Sequence, residues 1–158
     1  MTINEGTLDQ ARRDWGLGIL NISEAYESSG IDKARIVANE FLDNLYGFEF
    51  GPILFKPTLS GGCKTFRPSK DGALSYFIGE NPNYPNDTGF GIKYWRKVDS
   101  DTSAIFIEEN VAMWIGWVTL VNNNGDEVKV DKSWGYRKDD NGRLKIVLHH
   151  SSLPYEAC

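Results

Sequence analysis

EVKVDKSWGYRKDDNGRLKIVLHHSS, residues 127–152, reads as two strands joined by a turn. Both arms are rich in β-branched and aromatic residues that suit a pleated, half-buried backbone. The KDDNG between them sets Asn141 before Gly142, a pair that tolerates the left-handed φ values of a tight hairpin. Upstream, NVAMWIGWVTLV (110–121) ends in a similar turn, NNNGD (122–126), and GFGIKYWRKV (89–98) adds one more extended run. From Gly89 onward the chain is therefore expected to be an antiparallel meander.

The first half has a different period. Leu8, Ala11, Trp15, Ile19, Ile22 and Tyr26 recur at steps of three and four, and Thr7 with Gln10 forms a capping-box signature, so an amphipathic helix of about five turns is expected. Ser28-Ser29-Gly30 breaks it, after which Ala34, Val37, Ala38, Phe41, Leu42 and Leu45 carry a second helical stripe that stops at Gly47. GPILFKPTLSGGCKTFRP (51–68) reads as short extended pieces, because Pro52 and Pro57 lack the N–H that a ladder requires. Ser69 caps a short helix, KDGALSYFIG, closed by Gly79, and the loop ENPNYPNDTG (80–89) separates it from the strands. Helices followed by a meander predict an α+β fold, with the N-terminal helices packed on one face of a strongly curved antiparallel β-sheet.

At 158 residues the chain is expected to form one domain spanning 1–158, large enough for a real core. A formal net charge of -5 without a Lys/Arg cluster argues against nucleic acid as a partner. No apolar run approaches the ~18 residues that span a bilayer, so no membrane association is expected, and the start, MTINEGTLDQARRD, shows no targeting stretch. Cys63 and Cys158 match no metal or redox spacing and are expected to be two free thiols.

The two histidines, His149 and His150, stand side by side at a strand end. A catalytic zinc needs three protein ligands converging within about 2.0–2.3 Å of one ion. Successive strand side chains point to opposite faces of a sheet, so these two rings diverge and no metal centre is expected. Alternation puts Lys145, Val147, His149 and Ser151 on one face, and Leu144, Ile146, Leu148, His150 and Ser152 on the other, greasier one. A bulge would reverse the assignment, which keeps His150 and Ser152 as alternatives.

A strand ending in HHSSLP resembles the C-terminal strand of the NTF2-like superfamily, in particular the association domain of calcium/calmodulin-dependent kinase II. Three blocks, LFKPT (54–58), FRPSKDGALSYFIG (66–79) and SWGYRKDDNGRLKIVLHHSSLPY (133–155), together resemble the iota-class carbonic anhydrases over about 100 residues. The resemblance implies a cone-shaped NTF2-like domain that hydrates CO2 reversibly to bicarbonate, with no metal and no cofactor. It also implies a homodimer, and a plastid location if the domain was excised from a multi-domain algal precursor. In that family a threonine, a tyrosine and a serine hold the bicarbonate, and the matching positions are Thr58, Tyr76 and Ser151. His149 shares Ser151's face and joins them as a proton relay, with Phe55, Phe77, Trp95 and Trp114 as candidates for an apolar wall beside the water. Since the fold alone carries little functional information, the alternative is a non-catalytic oligomerisation or small-ligand-binding domain.

Overall fold

A computed structural model describes residues 2–156. Cys63 is exposed and free, while Cys158 lies outside the described residues. Helix α1 (Glu5–Ser29) begins earlier than the Thr7/Gln10 pair suggests and runs to 25 residues. The cap is Asn4: its side chain accepts from Thr7 N at 3.0 Å, and Thr7 Oγ1 accepts from Asn4 N at 3.0 Å, a reciprocal box that satisfies two otherwise orphaned donors. Gly30, at φ 85, closes α1 and opens α2 (Ile31–Leu45).

Helix α2 ends at Leu45, two residues before Gly47, because Tyr46 swings into extended backbone (φ -111, ψ 141) and bridges to Ile146. That bridge aims the Tyr46 side chain inward. The short helix α3 (Lys70–Ile78) has the expected ends, Ser69 accepting from Gly72 N and Gly79 closing it.

Five strands form one sheet: β1 (Leu54–Lys56), β2 (Trp95–Ile107), β3 (Val111–Asn122), β4 (Glu127–Lys138) and β5 (Leu144–Ser152). Their order is β1-β5-β4-β3-β2, with β1 parallel to β5 and every other pair antiparallel. Two features depart from the sequence expectation. LFK joins the sheet as a parallel edge strand, and β2 starts only at Trp95, after a 3-10 turn at Phe90–Ile92, then continues through DSDTSAIFI to Ile107. The polar alternation of that stretch conceals a strand whose outer face is open to water.

The core lies between the concave face of the sheet and the helices. Trp114, Val118, Val130, Trp134 and Ile146 from the strands meet Trp15, Ile19, Ile22, Phe41 and Leu42 from α1 and α2, all buried. These are the helical stripes that the sequence periodicity marks, and their burial removes the apolar surface that drives the helices onto the sheet.

Strand β5 carries one residue more than its partner. Gly135 opposes Leu148 and Tyr136 opposes Ile146, which leaves Val147 without an opposite number. A bulge of this kind inverts the alternation beyond it. His149 and Ser151 do share a face, as expected. That face, however, is the core-facing one that also holds Ile146, so simple parity through the whole strand is corrected at Val147.

A second bulge, in β2 between Thr102 and Ala104, lies opposite Gly116 and bends the sheet. A Cβ on Gly116 would stand 2.2 Å from Asp101 O and 2.6 Å from the Trp114 ring. Backbone oxygen cannot step aside as a side-chain tip can. Gly116→Ala is therefore expected to cost about 2 kcal/mol or more in a urea titration, and a variant of unchanged stability would show that the bend does not need glycine.

Candidate active site

The β4–β5 register sets Lys132 opposite Ser151 and Trp134 opposite His149, so four side chains face the helices as two cross-strand pairs. Parallel β1 sets Phe55 beside His149, with the rings stacked at 4.7 Å. Pro57 ends that strand, and Thr58, just beyond it, places its hydroxyl 2.5 Å from Ser151 Oγ. From α3, Tyr76 brings its phenol to the same place: its oxygen accepts from Leu59 N at 3.3 Å, and the Thr58 hydroxyl is near enough to oppose the rise in its pKa. Ser151, Thr58 and Tyr76 thus bring three hydroxyls together from separate parts of the chain, with Thr58 and Ser151 in direct contact.

The row continues into the core. Lys132 Nζ lies 3.0 Å from Ser151 Oγ and 3.0 Å from His149 Nε2. His149 Nδ1 in turn lies 2.8 Å from Tyr46 OH, and the Trp15 indole N–H donates to Tyr46 OH at 3.0 Å. Six polar side chains, Trp15, Tyr46, His149, Lys132, Ser151 and Thr58, are linked end to end beneath a shell of rings, with Tyr76 as the seventh.

Burial governs their protonation. Desolvation pushes Lys132 down to about 7, Lys56 adds to the lowering and Asp131 opposes it. The same loss of water, helped by Lys132 and His150, holds His149 well below the usual imidazole range, so the ring is neutral. Burial raises the Tyr46 phenol strongly and the Tyr76 phenol to about 12, so both stay protonated.

Of the residues singled out from the sequence, Thr58, Tyr76, Ser151 and His149 are brought together. His150 is exposed, and Ser152 turns away to donate to Asp131 Oδ1 at 2.6 Å, so neither alternative enters the row. Phe55 and Phe77 stack on one another beside His149 and Tyr76, whereas Trp114 reaches this region only through Trp134. Phe90, not expected, stacks on Tyr76 at 5.6 Å and Trp95 backs it. Beside Tyr76, Leu59, Asn86, Gly89, Phe90 and Lys93 help line a cavity of about 30 Å³, room for a molecule the size of water.

Sequence reasoning missed Lys132, Tyr46 and Trp15. For Lys132 a signal exists, since it interrupts the apolar alternation Val128, Val130, Trp134, Tyr136 on one face of β4. Tyr46 and Trp15 look like ordinary core aromatics. Among the described residues, no three His, Cys, Asp or Glu side chains gather as potential metal ligands.

The depressed Lys132 pKa has a thermodynamic signature. Between about 7 and the model-compound value of 10.5, the unfolded chain binds a proton that the folded one does not, so stability rises with pH across that window. Methionine at 132 titrates nothing. Urea unfolding of wild type and Lys132→Met at several pH values should show wild type gaining on the variant by up to about 1.4 kcal/mol per pH unit above neutrality. A stability difference that stays constant from pH 7 to 9 would rule out a neutral buried amine.

Comparison with known proteins bears on the family of the chain. The family described as metal-independent carbonic anhydrase matches residues 6–153. A metal-independent carbonic anhydrase from Nostoc sp. (strain PCC 7120) is 44% identical over 154 residues, covering 98% of this chain and 75% of the relative. The crystal structure of a cyanobacterial iota-carbonic anhydrase complexed with bicarbonate superposes with a TM-score of 0.97 at 43% identity, over 99% of this chain and 95% of that one. An NTF2-like protein from Pseudomonas putida, 10% identical with a TM-score of 0.56 over 96% of this chain and 87% of its own, shares the fold alone. With a family match over residues 6–153 and a relative 44% identical over 154 residues, the chain belongs to the metal-independent carbonic anhydrases.

Proposed function

We propose that Thr58, Tyr76 and Ser151 hold the reacting water and the bicarbonate in the reaction of this family, the reversible hydration of CO2. The observation that carries this reading is the contact of Thr58 with Ser151 at 2.5 Å, with the Tyr76 phenol held on Leu59 N, the next residue along, beside a water-sized cavity. A hydroxyl both donates and accepts, so the row can orient a water and pass on its proton while donating to the oxygens that gain charge. Tyr76 remains a donor because its phenol stays protonated to about 12. Phe55, Phe77 and Phe90 supply an apolar wall suited to CO2, which has no net dipole. His149 acts from behind, because Lys132 stands between its ring and Ser151.

We also infer that a second copy of the chain covers the outer face of β2 and β3. Phe106, Met113, Ile115 and Trp117 are 52%, 44%, 48% and 36% exposed there, a contiguous apolar patch on the side of the sheet away from the helices. An isologous pairing of two such faces would bury it.

Stopped-flow CO2 hydration in the presence of chelator tests the first reading. Turnover should survive chelation, and Thr58→Val, Tyr76→Phe and Ser151→Ala should each lower kcat/KM by about 100-fold or more while far-UV dichroism is retained. Full activity in any one of them removes that residue from the mechanism. For the second reading, sedimentation should give a dimer for wild type and a monomer for Ile115→Asp; a monomeric wild type disproves the pairing.

A further inference from the structure

We propose that Lys132 is the positioning residue that receives the proton released during hydration, acting through Ser151; the inference rests on the hydroxyl-row reading above. The direction of the hydrogen bonds carries it. An indole N–H can only donate, and that of Trp15 donates to Tyr46 oxygen at 3.0 Å. The Tyr46 hydroxyl is fully buried, and its remaining partner is His149 Nδ1 at 2.8 Å, so its own hydrogen goes to that nitrogen. His149 is neutral, so its ring hydrogen then sits on Nε2, facing Lys132 Nζ at 3.0 Å.

An ammonium group has no lone pair with which to accept that N–H. The network is satisfied throughout only when Lys132 is a free amine, accepting from His149 and donating to Ser151 Oγ at 3.0 Å. The reversed arrangement would leave the Tyr46 hydrogen buried without an acceptor, which buried polar groups rarely tolerate. Trp15, remote from the hydroxyls, thereby fixes the resting state of the amine.

The step then balances. Water oxygen forms a bond to the carbon of CO2, and the electron pair of one C=O π bond moves onto oxygen. A water proton passes to the Thr58–Ser151 pair, and the Ser151 proton bonds to the Lys132 lone pair, turned toward it by one staggered rotation about Cε–Nζ. CO2, water and amine become bicarbonate and ammonium. The ammonium now faces the His149 N–H and holds its proton weakly. Once bicarbonate has been exchanged for water, the proton returns through the same hydroxyls to solvent.

The ionisable groups that act on the amine are Lys56 of β1, Asp131 of β4 and His149 of β5, with Tyr46 after α2 behind the imidazole and Tyr76 of α3 on Leu59 N. Helix α1 contributes the uncharged Trp15 ring, 4.9 Å from Nζ, while its Arg12 is turned toward Ser100 and Trp114. Burial with Lys56 outweighs Asp131 and places the titration at about 7.

The pH dependence of stopped-flow rates tests the proposal on the whole chain. In wild type, hydration should rise with pH through one ionisation near neutrality, and dehydration should fall through the same one. Lys132→Met, verified by dichroism and melting, should lose about 100-fold or more in both directions and lose that ionisation, and Lys132→Arg, a permanent cation, should be equally slow. Either folded variant within about threefold of the wild-type rate overturns the proposal. Carbon-13 NMR of lysine Cε in the wild type needs no variant: a Lys132 resonance titrating near 7 is expected, and one titrating with the surface lysines overturns the proposal. Ser151→Ala in the same assay separates the two levels. If Ser151→Ala is slow and folded Lys132→Met is fast, Lys132 alone is refuted. If Ser151→Ala is fast, the hydroxyl row falls and the role of Lys132 falls with it.

Discussion

One unpaired residue in β5, Val147, decides what this molecule can do. Upstream of it, Ile146 faces the core; without the bulge, alternation would send His149 and Ser151 to the outer surface and bring His150 and Ser152 beneath the helices. With it, Ile146 still closes the core and the next two inward positions are polar. The parallel addition of β1 depends on the same register, since Phe55 pairs with His149 and so delivers Thr58 to Ser151. Local twist at one bulge thus assembles a site whose parts lie nearly 100 positions apart, a common use of this irregularity beside functional sites.

Placing such a row inside an aromatic core is costly unless every member finds a partner. Here the members satisfy one another: the indole serves the phenol, the phenol serves the imidazole, and the imidazole and serine share the amine. Neutrality is what makes this tolerable. An isolated buried charge would be expensive, and the burial that forces Lys132 toward its uncharged form also prepares it for proton traffic near pH 7. The outer wall is fixed by a different device. Arg67 and Asp87 form a buried bidentate pair at 2.7 and 2.8 Å, Ser75 donates to the same carboxylate, and the Tyr84 ring lies 4.3 Å from the guanidinium. That cluster pins the 80–89 loop to α3 and so keeps Phe90 stacked on Tyr76.

The sequence made much of this legible. Periods of 3.6 and 2 give the two long helices and the antiparallel meander, and the divergence of adjacent strand residues puts His149 and His150 on opposite faces without any knowledge of the fold. The family resemblance of the three blocks points to Thr58, Tyr76 and Ser151, which the fold brings near one another. Other features were closed to such reading for definite reasons. A bulge leaves no fixed sequence mark, so Val147 passes for an ordinary strand residue. A three-residue strand between two prolines reads only as a short extended piece, and its place in the sheet is hidden because its partner lies some 90 positions away. Trp15 obeys the helical stripe and Tyr46 directly follows one, so their polar atoms go unnoticed, although each carries an N–H or O–H that must be used once buried. Lys132 is the exception, since a lysine among Val130, Trp134 and Tyr136 on one strand face contradicts the pattern openly.

The contrast with zinc-dependent hydration explains why the row must be long. Bound zinc lowers the pKa of water from 15.7 to about 7, so hydroxide exists before CO2 arrives and the proton has already gone. Hydroxyl groups cannot do that. Serine, threonine and tyrosine donors leave the water largely intact, so its proton must move while the C–O bond forms, and the energy of that step depends on where the proton comes to rest. An acceptor titrating near 10 would bind it so firmly that the return to solvent became slow. An imidazole depressed as far as His149 would hardly take it at all. An amine brought to about 7 by burial, in direct contact with the Ser151 hydroxyl of the proposed water site, sits between these limits. The chemical match that the metal makes at the water is made here at the other end of the chain of hydroxyls, which is why the core behind the site has to be as carefully wired as the site itself.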